Sequence, residues 1–413
     1  MAKQTIDITQ SAGENARRMN GNFGELYDGA AAIEERVSDL EENPSSGGGM
    51  DISDIAGECE ELTVELIPGY RIDPYGGGLI SAPGNLDTCI TAPIPSTGKV
   101  GKFLYYPGKY GWGAVYRRYS IENETTKVSA SPSPEMYGNN PHVIVPILDE
   151  NEFTQIRVTT FDSTAKVYVV TKHWLQCRNL CTDWAGKKWA MLGDSYVAGQ
   201  NIHETWHKIF STRHYAGFKQ LGHGGYGLVS SGNYSSSSLL SQLTTDLLDG
   251  NGEPLDVDII GVCCGRNDYS NGVPIGDIDD MITAVGVNPQ FPASYSGDVT
   301  FMGGMNYICK WLLDNYAGKT IFFVTPWYFL NDNPTGNAIE PQYKYIDAVM
   351  EVSGKWGIPC FDAARQSGIS VQNDVFRTKY FLSSTDTSHL NANGHRIMAK
   401  GPVCGWLENL FRE

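Results

Sequence analysis

The chain has 413 residues, of which 41% are hydrophobic and 19% charged, and it carries a formal charge of −16 from 47 acidic against 31 basic side chains. That length exceeds one ordinary core and predicts two or three domains, in a composition that is globular rather than disordered. The acidic balance excludes a nucleic-acid partner, which needs clustered Lys and Arg to displace counterions, whereas a neutral ligand such as a carbohydrate meets no repulsion.

The first 50 residues read as one helix and a linker. Ser11 followed by Glu14 fits a capping box. Ala16, Met19, Phe23, Leu26, Ala30, Ile33, Val37 and Leu40 then recur at alternating spacings of three and four, a heptad seam suited to self-association; an amphipathic helix lying on the chain's own core is the alternative, which Gly21, Gly24 and Gly29 favour. Asn43 and Pro44 stop it, and Ser45–Gly49 supplies a flexible joint. Residues 51–172 change character: short apolar or alternating runs at 62–67, 100–105, 113–119, 142–147, 154–160 and 166–170 are separated by Pro, Gly, Asn and Ser turns. That spacing predicts a β-sandwich. Its many aromatic residues, among them Tyr70, Tyr75, Tyr105, Tyr106, Tyr110, Trp112 and Tyr116, suit packing first and stacking on sugar rings second. Residues 173–413 read as α/β, with strands at 189–192, 257–264 and 320–325 and helices at 204–210, 302–315 and 343–356. The economical fold is a doubly wound parallel sheet with helices on both faces, and function belongs at the carboxyl ends of its strands.

No apolar run after Met1 could serve as a signal peptide, and no stretch reaches the roughly 18 apolar residues of a membrane span. A protein made in a cytoplasm, without visible export signal or membrane partner, is expected. The nine cysteines are odd in number and form no pair of CxxC motifs, so reduced thiols are expected, although Cys177 and Cys181 are spaced to pair.

Three strand ends carry chemistry. The strand at 187–192 runs into Gly193-Asp194-Ser195, and a serine at a strand-to-helix junction exposes its hydroxyl to a helix N-terminus that favours developing negative charge. The strand at 257–264 runs into Gly265-Arg266-Asn267-Asp268. Near the C-terminus, Asp386 and His389 stand three apart on a loop, where a carboxylate can orient an imidazole. A rival pattern, His203-Glu204-Thr205-Trp206-His207, spells the HExxH of zinc hydrolases. Its third ligand is missing: the usual glycine and histidine positions hold Phe210 and Arg213, and His214 comes one residue late. No metal is expected there.

Taken together, the blocks around Ser195, Leu221–Gly227, Asn267 and Asp386–His389 resemble the SGNH (GDSL-like) hydrolase family over the last 240 or so residues. The resemblance implies Ser195 as nucleophile, His389 as base and Asp386 as its orienting carboxylate. The oxyanion donors it implies are the N–H groups of Ser195 and Gly225 and the amide of Asn267, with no cofactor. Two departures stand out: Tyr196 follows the nucleophile where leucine is usual, and Gln220 replaces an asparagine five residues before the block-two glycine, which leaves Gly224, Gly225 and Gly227 as alternatives. The family includes lipases, thioesterases, acyl-sugar deacetylases and arylesterases, so it does not name a substrate. A β-module ahead of the catalytic part favours a carbohydrate O-acetyl ester. The segment from Ile6 to Phe23 resembles the start of phage or prophage tail-associated proteins, which implies a virion-associated homotrimer that trims host surface glycans. A cytoplasmic esterase is the alternative location, and a non-catalytic glycan-binding protein on the same scaffold is the alternative function.

Overall fold

The computed structural model describes residues 58–68, 70–72, 79–81, 89–107, 116–120, 127–130, 143–158, 164–178, 180–200, 202, 204–229, 238–285, 294–296, 299–330, 337–383 and 385–411. The seam expected at 16–40 and its linker lie outside them.

The first strands are β1 (Cys59–Pro68), β2 (Tyr70–Ile72), β3 (Leu79–Ser81), β4 (Cys89–Thr91), β5 (Ile94–Pro95) and β6 (Phe103–Tyr106). They are followed by β7 (Tyr116–Ser120), β8 (Lys127–Ala130), β9 (Val143–Pro146), β10 (Glu152–Val158) and β11 (Thr164–Val170). In β1, Leu62, Val64 and Leu66 turn to a core while Glu61, Thr63 and Glu65 face solvent, the period of two that a half-buried strand requires. The expected β-sandwich takes a different form here. The strands make one continuous antiparallel ladder, β8-β7-β10-β4-β1-β11-β6-β9, with β5 attached to β10 and β2–β3 a separate hairpin. β1 is ten residues long and serves two partners in turn. Its first part pairs with β11, and from Leu66 onward it pairs with β4. The two halves of the ladder are therefore offset along β1, and the ladder curls. Val143 and Val145 from one end meet Ile156 and Val158 from the other half in a single core. Tyr105 is buried against Trp174, with ring centroids 5.1 Å apart, which is the packing role.

After the short helix α1 (Lys172–Gln176) the chain becomes α/β. In order come β12 (Lys188–Gly193), α2 (Ser195–Ala198), α3 (Trp206–Arg213), β13 (Gly217–Gly222), α4 (Leu239–Thr245) and β14 (Ile259–Cys263). Next are α5 (Arg266–Asn271), the hairpin β15 (Thr283–Val285) and β16 (Ser294–Ser296), α6 (Phe301–Asn315), β17 (Thr320–Val324) and α7 (Gln342–Lys355). The chain ends with β18 (Cys360–Phe361), α8 (Ala363–Gln366), α9 (Asp374–Tyr380), α10 (Ala392–Lys400) and α11 (Pro402–Glu408). Strands β13-β12-β14-β17-β18 form a parallel sheet in that order. Alternate residues of its strands enter two separate cores. Leu192, Val262 and Phe323 pack with Leu240 of α4, Met305 of α6 and Val349 of α7. Met191, Ile259 and Val324 pack with Phe210 of α3, Met398 of α10 and Leu407 of α11. With both faces covered, the strands read as near-continuous apolar runs. The order of succession reverses at β12, whose neighbours β13 and β14 leave on opposite sides. A reversal of this kind opens a crevice at the carboxyl end of the strand. Among the described residues no helix is long and apolar enough to cross a membrane.

Candidate active site

Ser195 sits at that reversal, just past the carboxyl end of β12. β12 ends at Gly193, Asp194 turns the chain, and its carboxylate accepts the Tyr196 N–H at 2.8 Å to cap α2. The helix packs closely on the ends of β12 and β13 because two glycines let it approach. A Cβ on Gly193 would stand 2.5 Å from Val197, and one on Gly222 would stand 2.4 Å from the Ala198 nitrogen. Ser195 is only 5% exposed.

The loop between α9 and α10 brings the two C-terminal candidates to it. The Ser195 hydroxyl lies 2.8 Å from His389 Nε2, and His389 Nδ1 lies 2.8 Å and 3.0 Å from the two carboxylate oxygens of Asp386. Asp386 Oδ1 also accepts the backbone N–H groups of Ser388, at 3.1 Å, and His389, at 3.0 Å. Burial raises the Asp386 carboxyl, but the backbone and imidazole N–H of His389 and the Ser388 N–H outweigh it, holding the group below the ordinary carboxylate range. An anionic carboxylate on Nδ1 leaves the Nε2 lone pair facing the serine.

The remaining site residues come from the flanking strands. After β13, His223 donates its backbone N–H to Gly193 O at 2.9 Å, which ties the 223–227 loop to the end of β12. Gly225 has φ +82°, a left-handed conformation that suits glycine, and its Cβ position faces open space. Gly227 is differently placed, since a Cβ there would touch the Asp268 carboxylate, and Gly224 lies close to Gln200. The N–H groups of Ser195, Gly224 and Gly225 have no acceptor among the described residues. On the other side, after β14, Asn267 donates an amide hydrogen to Tyr226 O at 2.9 Å and lies 3.5 Å from Asp194 Oδ2. Buried Asp268 accepts the N–H groups of Leu228, at 2.7 Å, and Val229, at 3.0 Å, which fixes the far end of the 223–229 segment. Full burial pushes the Asp194 carboxyl up to about 7, against the Tyr196 N–H and the charge of Arg266.

Several residues that complete the site carry no motif. Ser388 is a hub: its hydroxyl meets Tyr196 Oη at 3.0 Å and accepts Arg266 Nε at 2.9 Å, and its carbonyl accepts Trp327 Nε1 at 2.9 Å. Tyr196 stacks on Trp327 with centroids 4.0 Å apart, and the Arg266 guanidinium lies 3.7 Å from the Phe329 ring centre. Gln200, a non-glycine residue at φ +43°, places its amide 3.4 Å from His389 Nε2. The aromatic at 196 gave one sequence clue, since a tyrosine in place of leucine brings a hydroxyl that needs a partner when buried.

The HExxH segment is engaged otherwise. His207 is fully buried, its Nε2 2.7 Å from the Thr205 hydroxyl, and Glu204 pairs with Arg396 at 3.2 Å. His203 lies outside the described residues.

No family model matches the chain, and no curated protein matches it. Solved structures similar to it include a protein from Lactobacillus plantarum, at 23% identity and TM-score 0.42, covering 55% of this chain and 98% of that one. A carbohydrate acetylesterase family member from Sinorhizobium meliloti matches at 13% identity and TM-score 0.36, covering 54% and 98%. A lipase/acylhydrolase from Enterococcus faecalis matches at 14% identity and TM-score 0.36, covering 54% and 96%. Likenesses this faint say nothing of this chain's chemistry, which rests on its own residues.

Proposed function

We propose that the chain is a serine ester hydrolase of the SGNH type, with Ser195, His389 and Asp386 as its triad. The observation that carries this reading is the unbroken relay of 2.8 Å contacts from Ser195 Oγ through the His389 ring to Asp386, at the carboxyl end of β12. A serine hydroxyl is a weak nucleophile without an adjacent base, and here the base and its orienting carboxylate are both in reach. His389 takes the Ser195 proton as Oγ attacks the ester carbon, and Asp386 stabilises the imidazolium that forms. The negative charge moves to the carbonyl oxygen. The N–H groups of Ser195 and Gly225 and the amide of Asn267 are the donors proposed to receive it. His389 then protonates the leaving alkoxide, and water activated by the same imidazole releases the acid. The chemistry calls on no metal or cofactor.

For the substrate we propose an acetylated carbohydrate. A weakly charged glycan meets no repulsion from a chain of net charge −16, and a β-module adjoining the catalytic part suits a polymer-bound ester. A phage tail location remains a proposal resting on the segment from Ile6 to Phe23.

Labelling with a fluorophosphonate and locating the adduct by mass spectrometry tests the chemistry. The label is expected on Ser195 and absent from Ser195→Ala; an adduct on another serine overturns the assignment. A panel of acetylated glycans and p-nitrophenyl esters of graded chain length tests the substrate. Acetate release with activity falling as the acyl chain lengthens is expected, and preference for long acyl chains refutes it.

A further inference from the structure

At the opposite end of the parallel sheet, where α3 gives way to β13, three side chains converge that the proposed hydrolysis does not use. His214 caps the C-terminus of α3, and Cys404 and Glu408 stand one turn apart on one face of α11. His214 Nε2 lies 3.2 Å from Glu408 Oε1 and 3.7 Å from Cys404 Sγ, and Cys404 Sγ lies 3.3 Å from Glu408 Oε1. We propose that His214, Cys404 and Glu408 form a structural zinc site that fastens α11 to the end of α3.

The triangle has the dimensions of one face of a zinc tetrahedron. Bonds of about 2.0–2.1 Å to nitrogen and oxygen and about 2.3 Å to sulfur place tetrahedral ligand atoms roughly 3.3–3.6 Å apart. The donor set also selects the ion. A thiolate, an imidazole and one carboxylate suit zinc, whereas calcium and magnesium take oxygen ligands throughout. The imidazole is oriented from behind. Nδ1 lies 3.0 Å from the Thr182 hydroxyl, so an Nδ1–H donated there turns the Nε2 lone pair toward Cys404 and Glu408. The ring also packs on Phe210 at 4.3 Å. His214 and Cys404 are 5% exposed while the Glu408 side chain is 32% exposed, leaving a solvent-facing position for water as fourth ligand. As the Zn–S bond forms, the thiol proton leaves to solvent, and nothing is oxidised or reduced.

The test uses the full chain, stripped with chelator and titrated with zinc against a chromophoric competitor. One zinc per chain is expected, with an affinity that rises with pH and a melting temperature raised by the metal. Cobalt in place of zinc is expected to give a thiolate-to-metal charge-transfer band. Cys404→Ser abolishes that band, and Cys404→Ser, His214→Gln and Glu408→Gln each weaken zinc binding more than tenfold. Cys177→Ser, which removes an exposed thiol 3.4 Å from His173 Nε2, leaves both readouts unchanged. Should a variant at buried His214 or Cys404 fail to fold, Glu408→Gln decides, because its side chain reaches solvent. Binding below one equivalent, binding indifferent to the folded variants of the trio, or binding that follows Cys177 overturns the site.

Discussion

The proposed triad of Ser195, Asp386 and His389 was legible because each residue sits in a short motif whose spacing is local. The groups that hold them were not. Ser388 unites residues 196, 266 and 327, whose separations along the chain tell nothing until the sheet brings three strand ends together. Its role is positioning: without its hydroxyl, Tyr196 and Arg266 lose a shared anchor beside His389. Ser388→Ala is therefore expected to lower kcat by about tenfold to a hundredfold, as small misplacements of reacting groups do, with KM little changed. The pH profile should keep its shape, because the base itself is untouched; a profile displaced along the pH axis would refute a purely positional role. Asn267 is different, since its amide is proposed to meet charge that exists only in the transition state. Asn267→Ala is expected to lower kcat by about 10²–10³ with KM nearly constant. A rise in KM alone would instead make it a substrate-binding residue.

Elements with strong apolar runs were legible for the same reason that they are buried. β12, β14 and β17 lie between neighbours and face two cores, so their sequences announce them. β13 is an edge strand, Gly-Phe-Lys-Gln-Leu-Gly, with Lys219 and Gln220 exposed; its sequence reads as a turn-rich motif and not as a strand. The curled ladder escaped for a further reason: alternation marks which face of a strand is buried but not where β1 changes partner. At this scale His395 of α10 gives a prediction. Its ring is 2% exposed, and Nδ1 accepts the Trp206 N–H at 3.3 Å, which joins α10 to α3. Burial, and secondarily the charge of His389, lowers its pKa to about 3. The unfolded chain holds this proton up to about 6.5. Between the two values the unfolded state binds more protons, so stability rises with pH there. The contribution is complete above about pH 6.5 and declines as pH falls toward 3. Urea unfolding of His395→Gln across that window is expected to show a pH slope smaller by about one proton than the parent. An unchanged slope would mean the imidazole is charged in the folded protein.

At the scale of the whole molecule, every residue of the proposed triad and oxyanion hole comes from one chain, so catalysis is expected to need no partner subunit. Assembly is a separate matter, and it rests on the sequence of residues 16–40, outside the described residues. One heptad position there holds Ala16, Phe23, Ala30 and Val37, and the other holds Met19, Leu26, Ile33 and Leu40. These sizes are mixed, and the buried asparagine that commonly fixes a two-stranded coil is missing from both positions. A helix of this length is marginal alone, so neighbouring domains are expected to help hold it. The proposal is a homotrimer held through that seam, with the rest of each chain beyond the Ser45–Gly49 linker. Light scattering is expected to give three chains for the full-length protein and one for a version beginning at Met50, with equal turnover per chain in an ester assay. A full-length monomer, or a shortened chain that remains trimeric, would refute the coiled-coil account. Unequal turnover would instead mean that the first 49 residues reach the catalytic part.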